Sequence, residues 1–329
     1  MALGGVALQL DGPPAPPVPR EQVVAPPPDQ PSQVEKPAVV SARPQPAPTA
    51  STQRPGRDTP GPIADPEPAL LEPAPGLAPN QLPQIASDGR LPMQVYAAGF
   101  DSSSRRPRVG LVLAGLGLNQ ADSEAAVRAL PHGITLAISP YAQNTGRLLS
   151  TARSTEHEYL VSIPMEPQGF PLNDPGKQAL MTNLSLEQNR GRLIWVLSRI
   201  QGYVGAIGAE GSQVGERFAS LPEEMRLVFG ELKKRGLLYI DPRPGSPAPK
   251  QVWGRSVDVV VDEPATAADI EIKLGQLVQI ARTKGSALGF AGTPRPVVLQ
   301  RLQTWAVNLQ VDGLALAPVS ALVQAPVGQ

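Results

Sequence analysis

From Arg108 onward the chain alternates two kinds of apolar pattern. Short continuous runs, VGLVLAG (Val109–Gly115), ITLAIS (Ile134–Ser139) and YLVSIPM (Tyr159–Met165), have the length and composition of buried strands. Between them, ADSEAAVRAL (Ala121–Leu130) and NTGRLLSTARS (Asn144–Ser154) read as helices. In SLEQNRGRLIWVLSRI (Ser185–Ile200) the residues Leu186, Leu193, Val196, Leu197 and Ile200 share one face, with Ser185 as N-cap. PEEMRLVFGELKKRG (Pro222–Gly236) has proline first, acids in its first turn, bases in its last and glycine at its end, the asymmetry of a helix.

The alternation continues to the end of the chain. Val204–Glu210, Leu237–Asp241, Val257–Asp262 and Ser286–Gly292 read as strands, and Thr266–Gly285 and Pro296–Leu309 as helices, with Leu314–Leu322 closing the series. About eight apolar strands, most followed by an amphipathic helix, predict an α/β fold with a parallel sheet covered by helices. This many units favours a (β/α) barrel of seven to eight strands over an open doubly wound sheet. GLGLNQ (Gly115–Gln120) lacks the third glycine of a dinucleotide fingerprint, which argues against a nucleotide cofactor.

Residues 1–106 have no such pattern. The first 100 residues hold 23 of the 40 prolines and only two of the 13 aromatics, Tyr96 and Phe100. Runs such as PPAPPVP (Pro13–Pro19) and PPP (Pro26–Pro28) favour polyproline II, and so little apolar surface cannot offset ordering entropy. The segment 1–106 is therefore expected to be a disordered Pro-rich linker. Its apolar start, ALGGVALQL (Ala2–Leu10), is shorter than the roughly 20 residues of a membrane span and reads either as the remnant of an anchor or as an unstructured end. Twenty-nine basic and 29 acidic residues balance, leaving no basic surplus for nucleic acid. With no cysteine and two histidines, thiolate sites are excluded and imidazole sites are scarce.

Several segments together resemble the divergent polysaccharide deacetylases of bacteria: ITLAISP (Ile134–Pro140), EHEYLVSIPMEP (Glu156–Pro167), LSLEQNRGRL (Leu184–Leu193), YVGAIGAEGS (Tyr203–Ser212), RGLLYIDPRP (Arg235–Pro244) and VDVVVDEP (Val257–Pro264). The resemblance implies a distorted (β/α) barrel, exported to the periplasm or anchored to the envelope. It also implies hydrolysis of an N-acetyl group, in which a divalent metal such as zinc, held by Asp and His, activates water. A carboxylate base and a His acid complete that chemistry.

This chain departs from the family at those residues. Ala114-Gly115-Leu116-Gly117 stand where the family has Asp-Asp-Leu-Gly. Ala209 takes the place of the His in its Asn-Asn-His-Met-Gly-Ser, and Phe290 that of the His in its Gly-His-Pro. No metal or other cofactor is expected, and the resemblance then implies a pseudoenzyme that binds a cell-envelope glycan or protein. The alternative is an active deacetylase with a rebuilt carboxylate site. Asp241, Asp258 and Glu166 are its catalytic candidates, and Glu210, Arg243, Asp262 and Trp253 the ligand-binding ones.

Glu166, Glu210, Asp241 and Asp262 follow strands, the end at which barrels carry their sites. They either line one mouth or cap helices and pair with Arg243 and Arg217. Asp258, within its strand, needs a partner such as Arg243 if buried. Trp253, in a loop, is the sugar-platform candidate, whereas Trp195 and Trp305 lie on apolar helical faces. His157 begins a strand and reads as structural, His132 as a turn residue, and Gly208 and Gly211 mark a tight turn.

Overall fold

In the computed structural model, which describes residues 54–327, the strand patterns separate two apolar layers. Along β1 (Arg108–Leu116), Val109, Leu111 and Leu113 pack outward in one cluster with helix residues such as Val228 and Leu277. Val112 and Ala114 face a second cluster that contains none of the long helices. The same alternation runs through β2 (Thr135–Ile138), β3 (Tyr159–Ser162), β4 (Gly205–Ile207), β5 (Leu238–Asp241) and β8 (Ser286–Ala291). Side chains alternate along a strand with period two, so a sheet that curls gains an inner and an outer core.

The main sheet is parallel, in the order β6-β5-β4-β3-β2-β1-β8-β7, where β6 is Gly254–Ser256 and β7 is Val259–Val260. The two ends of that order are consecutive in the chain. The Val257 amide donates to Asp241 on one side, and the next amide, Asp258, donates to Leu288 on the other. One extended segment thus pairs with β5 and then with β8, and the curled sheet becomes a distorted barrel. A short β9 (Ala315–Leu316) adds to the start of β1.

Six helices cover the outside: α1 (Gln120–Ala129), α2 (Gly146–Ser154), α3 (Leu186–Leu197), α4 (Pro222–Lys234), α5 (Ala267–Lys284) and α6 (Pro296–Val311). Their ends follow local chemistry. Ser185 and Gln188 form a reciprocal capping box on α3. The Thr266 side chain caps α5, and Gly285, at φ 81°, ends it. No described helix is long and apolar enough to cross a membrane.

The expected linker does not extend to residue 106. From residue 54 the chain is built into the fold, and Ile63, Leu70, Leu91, Met93, Tyr96 and Ala97 join the inner core. With Ala317, Val319 and Leu322 they close the barrel at the strands' N-terminal end. Most of these apolar residues are isolated, and the one helical triad, Met93, Tyr96 and Ala97, belongs to a single turn (Pro92–Val95) too short to announce its burial. Prolines in this stretch also lower the entropy lost on ordering. Ala2–Leu10 and the proline runs before residue 29 lie outside the described residues.

Polar groups secure this closure. Glu158, fully buried at the start of β3, accepts from the Ala98 amide, the Ser320 amide and hydroxyl, and Thr135 Oγ1. Arg235, also buried, donates to Glu72 at 2.7 Å and to the Pro83 carbonyl. Beside Glu158, His157 is buried with Nδ1 2.8 Å from the Ile134 carbonyl, and burial lowers its pKa, in keeping with a structural role.

Candidate functional site

The C-terminal strand ends form the mouth. After β4, Ala209–Glu210 and Gln213–Val214 pair as a hairpin around Gly211 and Ser212. Gly211 adopts φ 57°, as the sequence turn required. The hairpin lies over the ends of β1 and β8. A Cβ on Gly292 would come 2.5 Å from Ser212 Cα, so only glycine permits this approach. The sequence had suggested one strand over Val204–Glu210, but the strand stops at Ile207 and the chain folds across the opening.

The positions of the lost ligands converge here. Ala114, Ala209 and Phe290 are at most 1% exposed and belong to the inner core. Alanine and phenylalanine offer no lone pair to a metal, and none of the described residues form a group of three or more His, Cys, Asp or Glu able to hold one. The residues present do not fit the metal that the family chemistry needs.

Beside the hairpin is a cleft of about 570 Å³. Its lining includes Asn173, Ser212, Gln213, Glu216, Arg243 and Glu263, with Phe290 among the apolar residues. A second cavity of about 440 Å³, walled by Met225, Phe229, Pro247 and Pro249, lies on the other side of the Asp241–Arg243 pair. Arg243 lines both.

Four carboxylates singled out from the sequence do reach the mouth, and three are already engaged. Asp241 receives Arg243 Nε at 2.9 Å and Nη2 at 2.6 Å, and this pairing raises the arginine pKa. Glu166 accepts from the Thr182 amide and hydroxyl and pairs with Arg217 at 3.0 Å. Asp262 takes the Gly292 and Thr293 amides and so holds the turn after β8. Its pKa is raised by burial, against the pull of those amides.

Glu210 differs from these three. It is 8% exposed, and among the described residues neither carboxylate oxygen has a partner in good hydrogen-bond geometry, the Ser139 hydroxyl being the donor nearby. Burial pushes its pKa up to about 7, opposed only by the nearby Ser139 hydroxyl. A carboxyl group in that range can give or take a proton near neutrality.

Two candidates lie elsewhere. Asp258 sits at the beginning of β7, where it accepts from Arg255 at 3.0 Å and from the Leu288 amide. Its partner is Arg255, not Arg243, and it belongs to the closed end of the barrel. Trp253 precedes β6 and faces a small apolar cavity with Ile85, Leu91 and Met93, also at the closed end, so it offers no platform in the mouth. Trp195 and Trp305 pack on the outer core, and His132 is exposed in the turn before β2.

Sequence reasoning missed Glu216, Glu263, Asn173 and Gln213. Glu263 directly follows Asp262 after a strand, so inspecting one residue further would have found it. Asn173 lies on irregular chain, and Gln213 and Glu216 lie on a two-residue strand and a single helical turn, too short to show a period.

The cleft lies at the C-terminal strand ends of a distorted (β/α) barrel, the face on which such barrels carry their sites. The chain belongs to the divergent polysaccharide deacetylase family, whose pattern matches residues 111–323. It is 25% identical over 213 residues to the uncharacterized protein YibQ of Escherichia coli K12, covering 62% of this chain and 64% of that protein. The match therefore spans less than two thirds of YibQ's length. An uncharacterized protein of Haemophilus influenzae is 25% identical over 197 residues, covering 57% of this chain and 68% of its own. Among solved structures, the uncharacterized protein ATU2773 of Agrobacterium tumefaciens superposes with a TM-score of 0.68 at 32% identity, covering 74% of this chain and all of that one.

Proposed function

We propose that this chain is a glycan-binding member of its family that has lost metal-dependent deacetylation, and that it acts in the bacterial cell envelope. The supporting observation is the contrast within one mouth. The three positions that would carry metal ligands are apolar and buried, whereas the cleft beside them keeps amide, hydroxyl and charged groups. A fold can outlast its reaction because function resides in the site. Asn173, Ser212 and Gln213 supply uncharged donors and acceptors of the kind sugar hydroxyls match. The envelope location rests on the family resemblance and on the absence of cysteine, and it is part of the same proposal.

Metal content and zinc-dependent thermal stability of the full chain test the first half. A site-specific metal at a hundredfold excess over its Kd stabilises by about 2.7 kcal/mol. The expected result is no stoichiometric zinc and no shift, and a tightly bound zinc with a clear shift would sink the reading. Titration with chitin-type and peptidoglycan-type oligosaccharides tests the second half.

One observation favours a second reading. Glu210, titrating near neutrality, could serve as a general acid or base in a rebuilt hydrolase. That reading expects acetate release from N-acetylated oligosaccharides that Glu210→Gln abolishes. Asp241 is a poorer candidate, because Arg243 already occupies both of its oxygens.

A further inference from the structure

The hairpin that folds across the mouth is held down by little. Ala209 is fully buried in the inner core, Val214 packs against that core from a half-buried position, and Ser212 is exposed. The Gly215 amide closes the base by donating to the Gly208 carbonyl at 3.3 Å. Two small apolar side chains withdraw little area from water, which places the segment among those that open locally.

Three buried oxygens at this end have no protein partner in good hydrogen-bond geometry among the described residues. Two belong to the Glu210 carboxyl and one to the Ser162 hydroxyl. Ser162 pairs in register with Ile207, which leads into the hairpin, and stands one step beyond the Ile138–Val161 pair, beside Ser139. Buried polar groups left so are costly, and contact with water relieves them.

The proton on Glu210 sets how large that cost is. A neutral carboxyl tolerates burial, whereas a carboxylate out of water needs donors or a counter-charge. No cation supplies one: burial and the Ser139 hydroxyl act on Glu210. The upper end of β1 carries no titratable group. After β2 stands Tyr141, whose phenol burial holds above its ordinary range, with Arg192 and Asp174 acting on it. After β3, Glu166 is locked to Arg217. Beyond β8, Asp262 takes the Gly292 and Thr293 amides. We infer that the hairpin 209–214 is a lid on the barrel mouth, held closed by the proton on Glu210 and released as that proton leaves. Ser212, Gln213 and Val214 line the cleft, so opening the lid reshapes the cleft whatever ligand it takes. Closure is strongest in acid and weakens as pH climbs from about 4.5 toward about 7.

Hydrogen exchange of the full chain, read by NMR and divided by the intrinsic amide rates, follows this opening. Between about pH 5 and about pH 7, protection at residues 209–214 and at the Gly215 amide should fall by roughly tenfold or more. The Leu238 amide, bonded to Val204 in the barrel wall, should keep its protection. Glu210→Gln should abolish the fall, and Asp262→Asn should keep it.

Hairpin protection that does not change with pH in the wild type overturns the inference. So does an equal fall at Leu238, which marks global unfolding. A fall that persists in Glu210→Gln, or is lost in Asp262→Asn, moves the switch to another group and overturns it as well. Should a variant fail to fold, the wild-type contrast between the hairpin and Leu238 decides.

Discussion

The Ser320 hydroxyl donates to Glu158 at 2.6 Å, joining the last turn of the chain to the start of β3 at the closed end of the barrel. The Ala98 amide reaches the same carboxylate, so one buried side chain ties the N-terminal segment, the barrel and the C-terminal turn together. Burial raises the Glu158 pKa, and the donors from Ser320, Ala98 and Thr135 oppose that rise.

Removing this junction should be costly. Glu158→Ala leaves the Ala98 and Ser320 amides buried without an acceptor, and about 3–5 kcal/mol of stability should be lost. Ser320→Ala removes one donor and should lose only about 1–2 kcal/mol. Urea unfolding of both variants checks the order, and equal small losses would mean that the junction is incidental.

Residues 54–100 should behave as part of the folded unit. Tyr96 is 1% exposed, and its hydroxyl accepts from the Glu67 amide at 2.9 Å. Tyr96→Ala should destabilise the whole barrel by about 3–5 kcal/mol, as for other large aromatics cut back in a core. A substitution in a disordered linker would leave the denaturation midpoint unchanged.

Glu210 should make stability depend on pH. Its pKa in the folded chain is about 7 against an ordinary value of 4.5, so the folded state holds this proton more tightly than the unfolded one. The favourable contribution is complete below about pH 4.5 and is lost as pH rises to about 7, after which the curve is flat. The change is on the order of 3 kcal/mol. In Glu210→Gln this component should vanish, leaving the variant more stable than wild type at pH 8. Chemical denaturation across the pH series reads the difference directly, and superimposable profiles would refute it.

The hairpin over the mouth depends on a missing side chain. In Gly292→Ala the new methyl would meet Ser212 at Cα 2.5 Å and N 2.8 Å, both backbone atoms. Backbone must move, at about 1–3 kcal/mol. Faster hydrogen exchange confined to residues 209–214 is the expected signature, with the rest of the barrel unchanged.

The barrel itself was legible because its signals are local. Buried strands and amphipathic helices write their periods into consecutive residues, as Val109–Gly115 and Ser185–Ile200 do, and caps such as Ser185 and Gly285 mark their ends. The lost ligand positions were legible for a different reason: only the resemblance to the family sets Ala114, Ala209 and Phe290, all within strands, against its ligands.

The tertiary structure decided which carboxylates are spoken for. Asp241 pairs with a residue two positions away, yet Asp258, next to the residue whose amide bonds Asp241, turns its side chain to Arg255 and the Leu288 amide, although the two strands carrying these aspartates looked alike in sequence. It also turned residues 54–100 from an expected linker into the floor of the barrel. Their isolated apolar side chains become a core only against a surface that distant strands provide, and burial against partners far along the chain leaves no period in the sequence.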